Sequence, residues 1–290
     1  MEKVSVVIPV YGQWNLAKRN IDALLKYDKK LIEEILVVND CSPEENPYEF
    51  DKIVWIINNE SNLGYAGTVN NGLKQAKSKI IVLLDSDAYP VAEFIDKLIK
   101  MYAADPQIGC IGFGTIDEDG SDTGNYQLEP SVLGLIAGQL LEAKFDFLRF
   151  WRRKSKLPFS CAVSFTKNCL EDLSYFDAET FPVLEADNDI SIRVHRSKWK
   201  LVFTREILIC HKGGNSYKIN HKRVVLFHES RWKLLKKHGM VSSIFLSKNL
   251  ILLRLNIELT IFKLLLNNNY DKYSDKITGR KILIEKFRSY

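Results

Sequence analysis

The sequence predicts an α/β fold: a mostly parallel sheet flanked by helices on both faces, with a helical extension at the C-terminal end. Two observations carry this. Short β-branched apolar runs alternate with segments whose apolar residues recur every three to four positions. Polar residues gather where the runs stop, and open α/β sheets bind ligands at the carboxyl ends of their strands.

The elements follow in order. Val4–Ile8 is a β-branched run ended by Pro9 and Gly12 and reads as a buried strand. Leu16, Ile21, Leu24 and Leu25 have helical spacing. Ile35–Val38 is the next strand, closed by Asn39-Asp40, and Ile53–Ile57 is a third. Thr68–Lys77 is predicted as a helix, Ile80–Leu84 as a strand ending at Asp85, Val91–Tyr102 as a helix and Ile108–Phe113 as a strand. Residues 114–130 carry Gly, Asp and Ser and read as a loop. Pro130 to Leu141 is uncharged but too short to cross a bilayer, which takes about 20 residues. Residues 160–210 return to strand and helix. From Ile244 to Asn267 the chain is very apolar but interrupted by Lys248, Arg254, Glu258 and Lys263. Asn249, Asn256, Thr260, Lys263 and Asn267 make one narrow polar stripe, so this is an amphipathic helix rather than a transmembrane one. The division expected is residues 1–217 as one domain and 218–290 as a basic helical region.

Composition bounds the rest. With 290 residues, 46% hydrophobic and 27% charged, the chain can build a large core. Five widely spaced cysteines without a CxxC pair read as reduced thiols in a cytoplasmic protein. The first residues run straight into the first strand, without the pattern of a signal peptide. A net charge of +5 does not argue for nucleic acid. Its distribution is uneven: basic residues cluster at Arg149, Arg152, Arg153, Lys154 and Lys156, from Lys218 to Lys237, and from Lys272 to Arg288. The last third therefore reads as facing anions or a membrane.

Four motifs carry chemistry. In Asp85-Ser86-Asp87, residues two apart in extended chain point the same way, so two carboxylates converge after an apolar strand. Oxygen ligands favour Mg²⁺ or Mn²⁺, which commonly also hold phosphates; a capped turn before the following helix is the alternative. Asn62 to Gly72 is a glycine-containing loop in which Gly64 and Gly67 let backbone approach a ligand, and the helix after it offers free N–H groups to an anion. It matches neither the dinucleotide nor the P-loop fingerprint. Glu185-Ala186-Asp187-Asn188-Asp189 precedes a helix start. Its acids either answer the helix dipole or supply a general base. His211, at a strand end before Gly213-Gly214, is a metal or phosphate ligand or a structural histidine.

Taken in order, these motifs resemble the inverting GT-A glycosyltransferases of family 2, in particular the rhamnosyltransferase-like bacterial members. The residues that carry the likeness are Val6 to Tyr11, Val37 to Ser42, Asn62 to Gly67 with Asn70, Leu84 to Pro90, Asp187 to Arg193, and His211. The resemblance implies a Rossmann-like GT-A domain that binds a nucleotide-diphosphate sugar, with a UDP- or dTDP-sugar as donor. It places Pro9 and Tyr11 beside the nucleotide, Asp40 on the base, and Asn62, Gly64, Asn70 and Ser86 among the donor-binding residues. It gives Asp87 to the metal, Asp85 to the ribose or metal, and His211 to the metal or diphosphate. Asp187 is implied as the catalytic base, with Asp189 a second candidate. Ala186 stands where the family usually has Glu, with Glu185 shifted by one, and Ser174-Tyr175-Phe176-Asp177 replaces the usual Gly-Gly-Phe-Asp.

The expected activity is hexosyl or deoxyhexosyl transfer to a glycan or lipid-linked acceptor in bacterial cell-surface glycan synthesis. The expected location is the cytoplasm, with peripheral contact at the inner membrane face or a homodimer through the C-terminal helices. Two other readings compete. A sugar-nucleotide pyrophosphorylase would need a glycine-rich loop bearing Arg and Lys where Pro9 to Trp14 stand. A non-catalytic binding or scaffold protein on the same fold is kept open by Ala186.

Overall fold

A computed structural model describes residues 2–138, 141, 142, 144, 155–211, 220–266 and 269–290, with the backbone alone at 271 and 272. The basic cluster at Arg149–Lys154, the Lys212–Ser216 segment, Lys218 and Asn267 lie outside the described residues. The elements are β1 (Val4–Val10), α1 (Trp14–Asp28), a 3₁₀ turn (Lys29–Leu31), β2 (Ile32–Asn39), β3 (Val54–Asn58), α2 (Gly64–Gln75), β4 (Ile80–Leu84), β5 (Ala88–Pro90), α3 (Ile95–Ala104), β6 (Ile108–Ile116), β7 (Tyr126–Leu128), α4 (Val132–Ala137), β8 (Lys156–Pro158), β9 (Ala162–Thr166), α5 (Lys167–Asp172), α6 (Ala186–His195), β10 (Lys200–His211), α7 (His221–Lys237), α8 (Ile244–Leu265) and α9 (Tyr270–Ser289). The chain divides into two compact units: Met1–Leu128 with Ser155–Asn215, and Glu129–Lys154 with Ser216–Tyr290. The second unit thus takes in residues 129–154 as well as the C-terminal helices.

The first unit is built on an eight-stranded sheet in the order β3-β2-β1-β4-β9-β6-β10-β5. β3, β2, β1 and β4 run parallel, as do β6 and β10. β9 is antiparallel to both β4 and β6, and β5 is antiparallel to β10. β1 and β4 are buried along their whole length, as central strands covered on both faces must be. On one face Val6, Ile8 and Val10 pack in a core with Ala17, Ile21 and Leu24 of α1. On the other face α2 approaches so closely that a Cβ on Gly72 would lie 2.5 Å from Val7 Cγ1 and 2.8 Å from Val38 Cγ2. Asp28 at the end of α1 accepts hydrogen bonds from the Phe94 and Ile95 amides at 3.2 and 3.3 Å and so caps α3.

Several boundaries differ from the sequence expectation. α2 begins at Gly64, so the glycine-containing segment is the helix's first turn rather than a loop before it. α3 begins at Ile95 because Val91–Phe94 leads up to the Asp28 cap. The 114–130 stretch contains the end of β6 and all of β7. β10, which ends at His211, is twelve residues long.

The second unit has its own core, in which Trp232 of α7, Ile251 and Leu255 of α8, and Leu283 and Phe287 of α9 meet Leu135 of α4. Glu258 accepts hydrogen bonds from Arg254 Nε at 2.7 Å and Arg280 Nε at 2.6 Å, tying α8 to α9. Burial opposes its charge, but the two guanidinium groups outweigh that and hold its carboxyl below the usual range. α8 departs from a simple amphipathic pattern. Its inward side is Ser247, Ile251 and Leu255, while a second set of apolar residues stays exposed.

Gly72 offers a test of the close α2 packing. Gly72→Val is expected to destabilise the chain by about 1–3 kcal/mol, because the facing valines are stiff and cannot move aside. The check is a lower urea midpoint at unchanged slope.

Candidate active site

The site begins where β4 ends. Leu84 is fully buried, and the chain must leave the sheet at Asp85. Three hydrogen bonds pin that exit: Asp85 N donates to Cys161 O at 3.0 Å, Ala88 N donates to Asp85 O at 3.0 Å, and Asn20 Nδ2 donates to Asp85 O at 3.0 Å. The Asp85–Ala88 bond closes a turn over Ser86 and Asp87. β5 then pairs with β10 so that Ala88 lies opposite His211. This register brings His211 Nε2 to 3.5 Å from Asp87 Oδ1. Asp85, Asp87 and His211 each offer one ligand atom, and these atoms lie within 4.8 Å of one another. Ser86 is half-buried in the turn between the two acids.

Electrostatics agree with a cluster built for a cation. Burial pushes the Asp85 carboxyl up to about 6, and the charge of Asp87 adds to the rise. Opposing it are His211 and the Tyr65 hydroxyl, which donates to Asp85 Oδ1 at 2.9 Å and sits 2.8 Å from Ser160 Oγ. For His211, burial disfavours the charged form, but its hydrogen bond to Asp87 and the charges of Asp87 and Asp85 outweigh it, so its pKa is raised. Two carboxylates and an imidazole in this arrangement suit a divalent ion that accepts O and N ligands.

A cleft of about 330 Å³ opens beside the cluster, lined by Asp85, Thr115, Asn125, Cys161, Asp187 and His211 among others. Asp187 comes from the first turn of α6. Cys161 lines the same cleft: burial raises its thiol well above the ordinary value, and the charges of Asp85, Asp187 and Asp87 add to it. Its Sγ donates to Asn125 Oδ1 at 2.9 Å.

The start of α6 is held by a buried relay. Gln127 Nε2 donates to Asn188 Oδ1 at 2.6 Å, and Asn188 Nδ2 donates to Glu185 Oε2 at 2.8 Å. Glu185 adopts a left-handed backbone, φ 72°, that a residue with a side chain rarely takes. It is buried, and its carboxylate serves Asn188. Asp189 is fully buried and paired with Arg193 Nε at 2.8 Å, and the same guanidinium donates to the carbonyls of Leu173 and Tyr175.

The remaining predicted residues sit at the ends of β1 and β2 and along α2. Pro9 is buried within β1, and Tyr11 just beyond it is 53% exposed. Asp40 N donates to Val10 O at 2.9 Å. Asp40 Oδ1 accepts from Leu63 N at 2.7 Å and from Asn59 Nδ2 at 2.9 Å. Asn62 donates from Nδ2 to Asp40 O at 3.3 Å and accepts from Gly64 N at 3.2 Å. Gly64 has φ 71°, and a Cβ there would lie 2.8 Å from Pro182 O, so glycine is required on both counts. Asn70 exchanges two hydrogen bonds with the Phe176 main chain, at 2.8 and 3.0 Å, which fixes the segment before Pro182.

Sequence reasoning had not singled out Asn20, Asn59, Tyr65 and Asn125 as site residues. Asn20 had a signal, since it is a polar residue on the apolar face of α1 with Ala17, Ile21 and Leu24. Asn59 had only its place just after β3, yet it joins Asp40, Thr68 and Asn71.

The comparisons with known proteins agree on the class of fold and its family. Residues 5–166 match the family Glycosyl transferase family 2, and the chain belongs to that family. It is 24% identical to the poly-beta-1,6-N-acetyl-D-glucosamine synthase of Staphylococcus epidermidis over 70% of this chain and 48% of that protein. It is 29% identical to glycosyltransferase GlyA of Streptococcus pneumoniae over 37% of this chain and 16% of that one. The chain spans about half or less of the length of these curated relatives. Among solved structures, the mannosyltransferase PcManGT from Pyrobaculum calidifontis, in complex with GDP-Man and Mn²⁺, aligns over 97% of this chain and 85% of its own, at 15% identity and a TM-score of 0.59. S. aureus TarS 1-349 aligns over 86% and 69%, at 15% identity and a TM-score of 0.55. The sheet with its flanking and C-terminal helices is therefore a GT-A fold.

Asp189 and Asp187 differ in what holds them, and stability separates them. Asp189→Asn is expected to cost about 3 kcal/mol, because it leaves Arg193 without its buried counter-charge. Asp187→Asn is expected to leave the thermal midpoint within a degree or so of wild type, as polar substitutions away from the core do. Thermal unfolding followed by circular dichroism measures both.

Proposed function

We propose that the chain is an inverting glycosyltransferase that moves a hexosyl or deoxyhexosyl group from a nucleotide-diphosphate sugar to an acceptor hydroxyl. The observation that carries this reading is the convergence of Asp187 and the Asp85–Asp87–His211 cluster on one cleft. Asp187 is the general base. Its carboxylate takes the proton as the acceptor oxygen attacks the anomeric carbon, while the bond from that carbon to the diphosphate oxygen breaks on the opposite face. One displacement gives the inverted product, and general-base help of this kind contributes about 10²–10⁴-fold. The choice of Asp187 over Asp189 rests on its place in the cleft against the ion pair that occupies Asp189.

Asp85, Asp87 and His211 would hold Mg²⁺ or Mn²⁺, whose chemistry when bound is to neutralise charge on the departing diphosphate. Mn²⁺ in the complex of PcManGT supports that choice. Tyr65 keeps Asp85 turned toward the cluster. Asp40, its Oδ1 already engaged by Asn59 and Leu63, is the residue we assign to the base, with Pro9 and Tyr11 flanking the nucleotide. Asn62 and Gly64 shape the donor loop, Asn70 supports it through Phe176, and Ser86 borders the diphosphate. Residues 1–217 are the donor-binding and catalytic part, and 218–290 an appended helical part. The donor is a UDP- or dTDP-sugar. The acceptor is a glycan or lipid-linked glycan of a bacterial surface, reached from the cytoplasmic side; the Staphylococcus relative, a poly-N-acetylglucosamine synthase by name, supports a glycan acceptor.

Two measurements test this reading. Asp187→Asn is expected to abolish transfer and leave nucleotide binding by calorimetry unchanged. Near-normal turnover in that variant would overturn the base assignment, and wild-type donor binding without turnover on any acceptor would favour a non-catalytic binding protein. Separately, Mn²⁺ at one hundred times its dissociation constant is expected to stabilise the wild type by about 2.7 kcal/mol. The Asp87→Ala chain is expected to lose that gain, as read by its melting point.

A further inference from the structure

We infer that the outer face of α8 is a docking surface for an anionic lipid bilayer. The helix is 22 residues long, about 33 Å. Its inward side, Ser247, Ile251 and Leu255, is buried in the second unit's own core. Its outward side carries Leu246, Leu250, Leu253, Ile257, Ile261 and Leu264 at spacings of three and four, all exposed, with Leu264 and the neighbouring Phe245 each 76% exposed. These positions fall within one strip of the helix surface. A continuous exposed apolar strip of this size marks a surface that is covered in use.

The polar residues beside the strip bond back to their own helix. Asn249 Nδ2 donates to Phe245 O at 2.8 Å, Asn256 Nδ2 to Leu252 O at 2.7 Å, and Thr260 Oγ1 to Asn256 O at 2.9 Å. Each of these side chains thus spends a donor on its own helix, which lowers the cost of placing it beside an apolar medium. Between Ile244 and Ile261 none of the exposed residues is charged. The charged residues inside this stretch are Lys248, half-buried, and Arg254 and Glu258, which are paired with each other.

Charge selects the occupant. Residues 218–290 hold sixteen Lys and Arg against five Asp and Glu, a surplus of eleven, whereas the rest of the chain has twenty-five against thirty-one. Pairing this face with a second copy would bring two such basic regions together. An anionic leaflet instead attracts them while its acyl region takes the apolar strip to a depth of about 5–10 Å. Among the described residues no helix is long and apolar enough to cross a membrane, so the contact proposed is one in which α8 lies along the surface.

The test is co-sedimentation of the full chain with vesicles of phosphatidylcholine, alone or mixed with phosphatidylglycerol. Binding is expected on the mixed vesicles, weaker on phosphatidylcholine alone and weaker again as salt rises. The double variant Leu253→Glu with Ile257→Glu is expected to lower binding about tenfold or more with its melting point unchanged. Each single variant is measured too, so that binding is read on a chain that folds as the wild type does. No binding to the mixed vesicles, or full binding by the folded double variant, overturns the proposal. So does a wild-type dimer by light scattering that the double variant dissociates while vesicles are ignored. None of these readouts uses transfer activity, so the catalytic reading stands or falls separately.

Discussion

Two carboxylates held close together at the end of a buried strand repel each other, and most of the first unit's site can be read as an answer to that repulsion. Left in solution, Asp85 and Asp87 would swing apart. Here the main chain at Asp85 is tied to α1 through Asn20, to β9 through Cys161 and to its own turn through Ala88. The backbone cannot carry the two side chains apart without breaking one of those bonds. Tyr65 and His211 offset part of the unfavourable charge, and the proposed cation would offset the remainder. Were a cation bound there, relief of that repulsion would add to the binding energy.

Much of the first unit was legible in the sequence, and the reasons are local. Val4–Ile8, Ile35–Val38 and Ile80–Leu84 announce themselves because parallel central strands are apolar on both faces. The acids at their ends stand out against such runs. What could not be read was pairing. Nothing in the residues of β9 says that it enters antiparallel between β4 and β6, or that β5 meets β10 in the register that sets Ala88 opposite His211. Both are long-range choices made by the whole sheet. The start of α2 was misplaced because Gly64 and Gly67 look like loop residues, whereas Gly64 is there for its positive φ and for room beside Pro182.

Polar networks were the least legible feature. Asn59 joins β2, β3 and α2 through Asp40, Thr68 and Asn71, yet as letters it is one asparagine among many. Asn70, implied among the donor-binding residues by resemblance, engages the Phe176 main chain with its amide, a link that its letter does not announce. In the second unit the helical pattern of residues 244–267 suggested one polar and one apolar side. The structure instead has apolar residues inward and outward, with the Asn249–Thr260 stripe beside the outward set. Periodicity finds a face; it does not say whether a protein core or something else covers it.

Glu185 carries a consequence for how such a protein changes over generations. Its left-handed backbone is one that glycine adopts at little cost. Glycine there would relieve the backbone, whereas the Asn188 contact favours the acid. The position is one where backbone preference and a buried hydrogen bond pull in opposite directions. Glycine would relieve the first only where some other side chain braces the start of the helix.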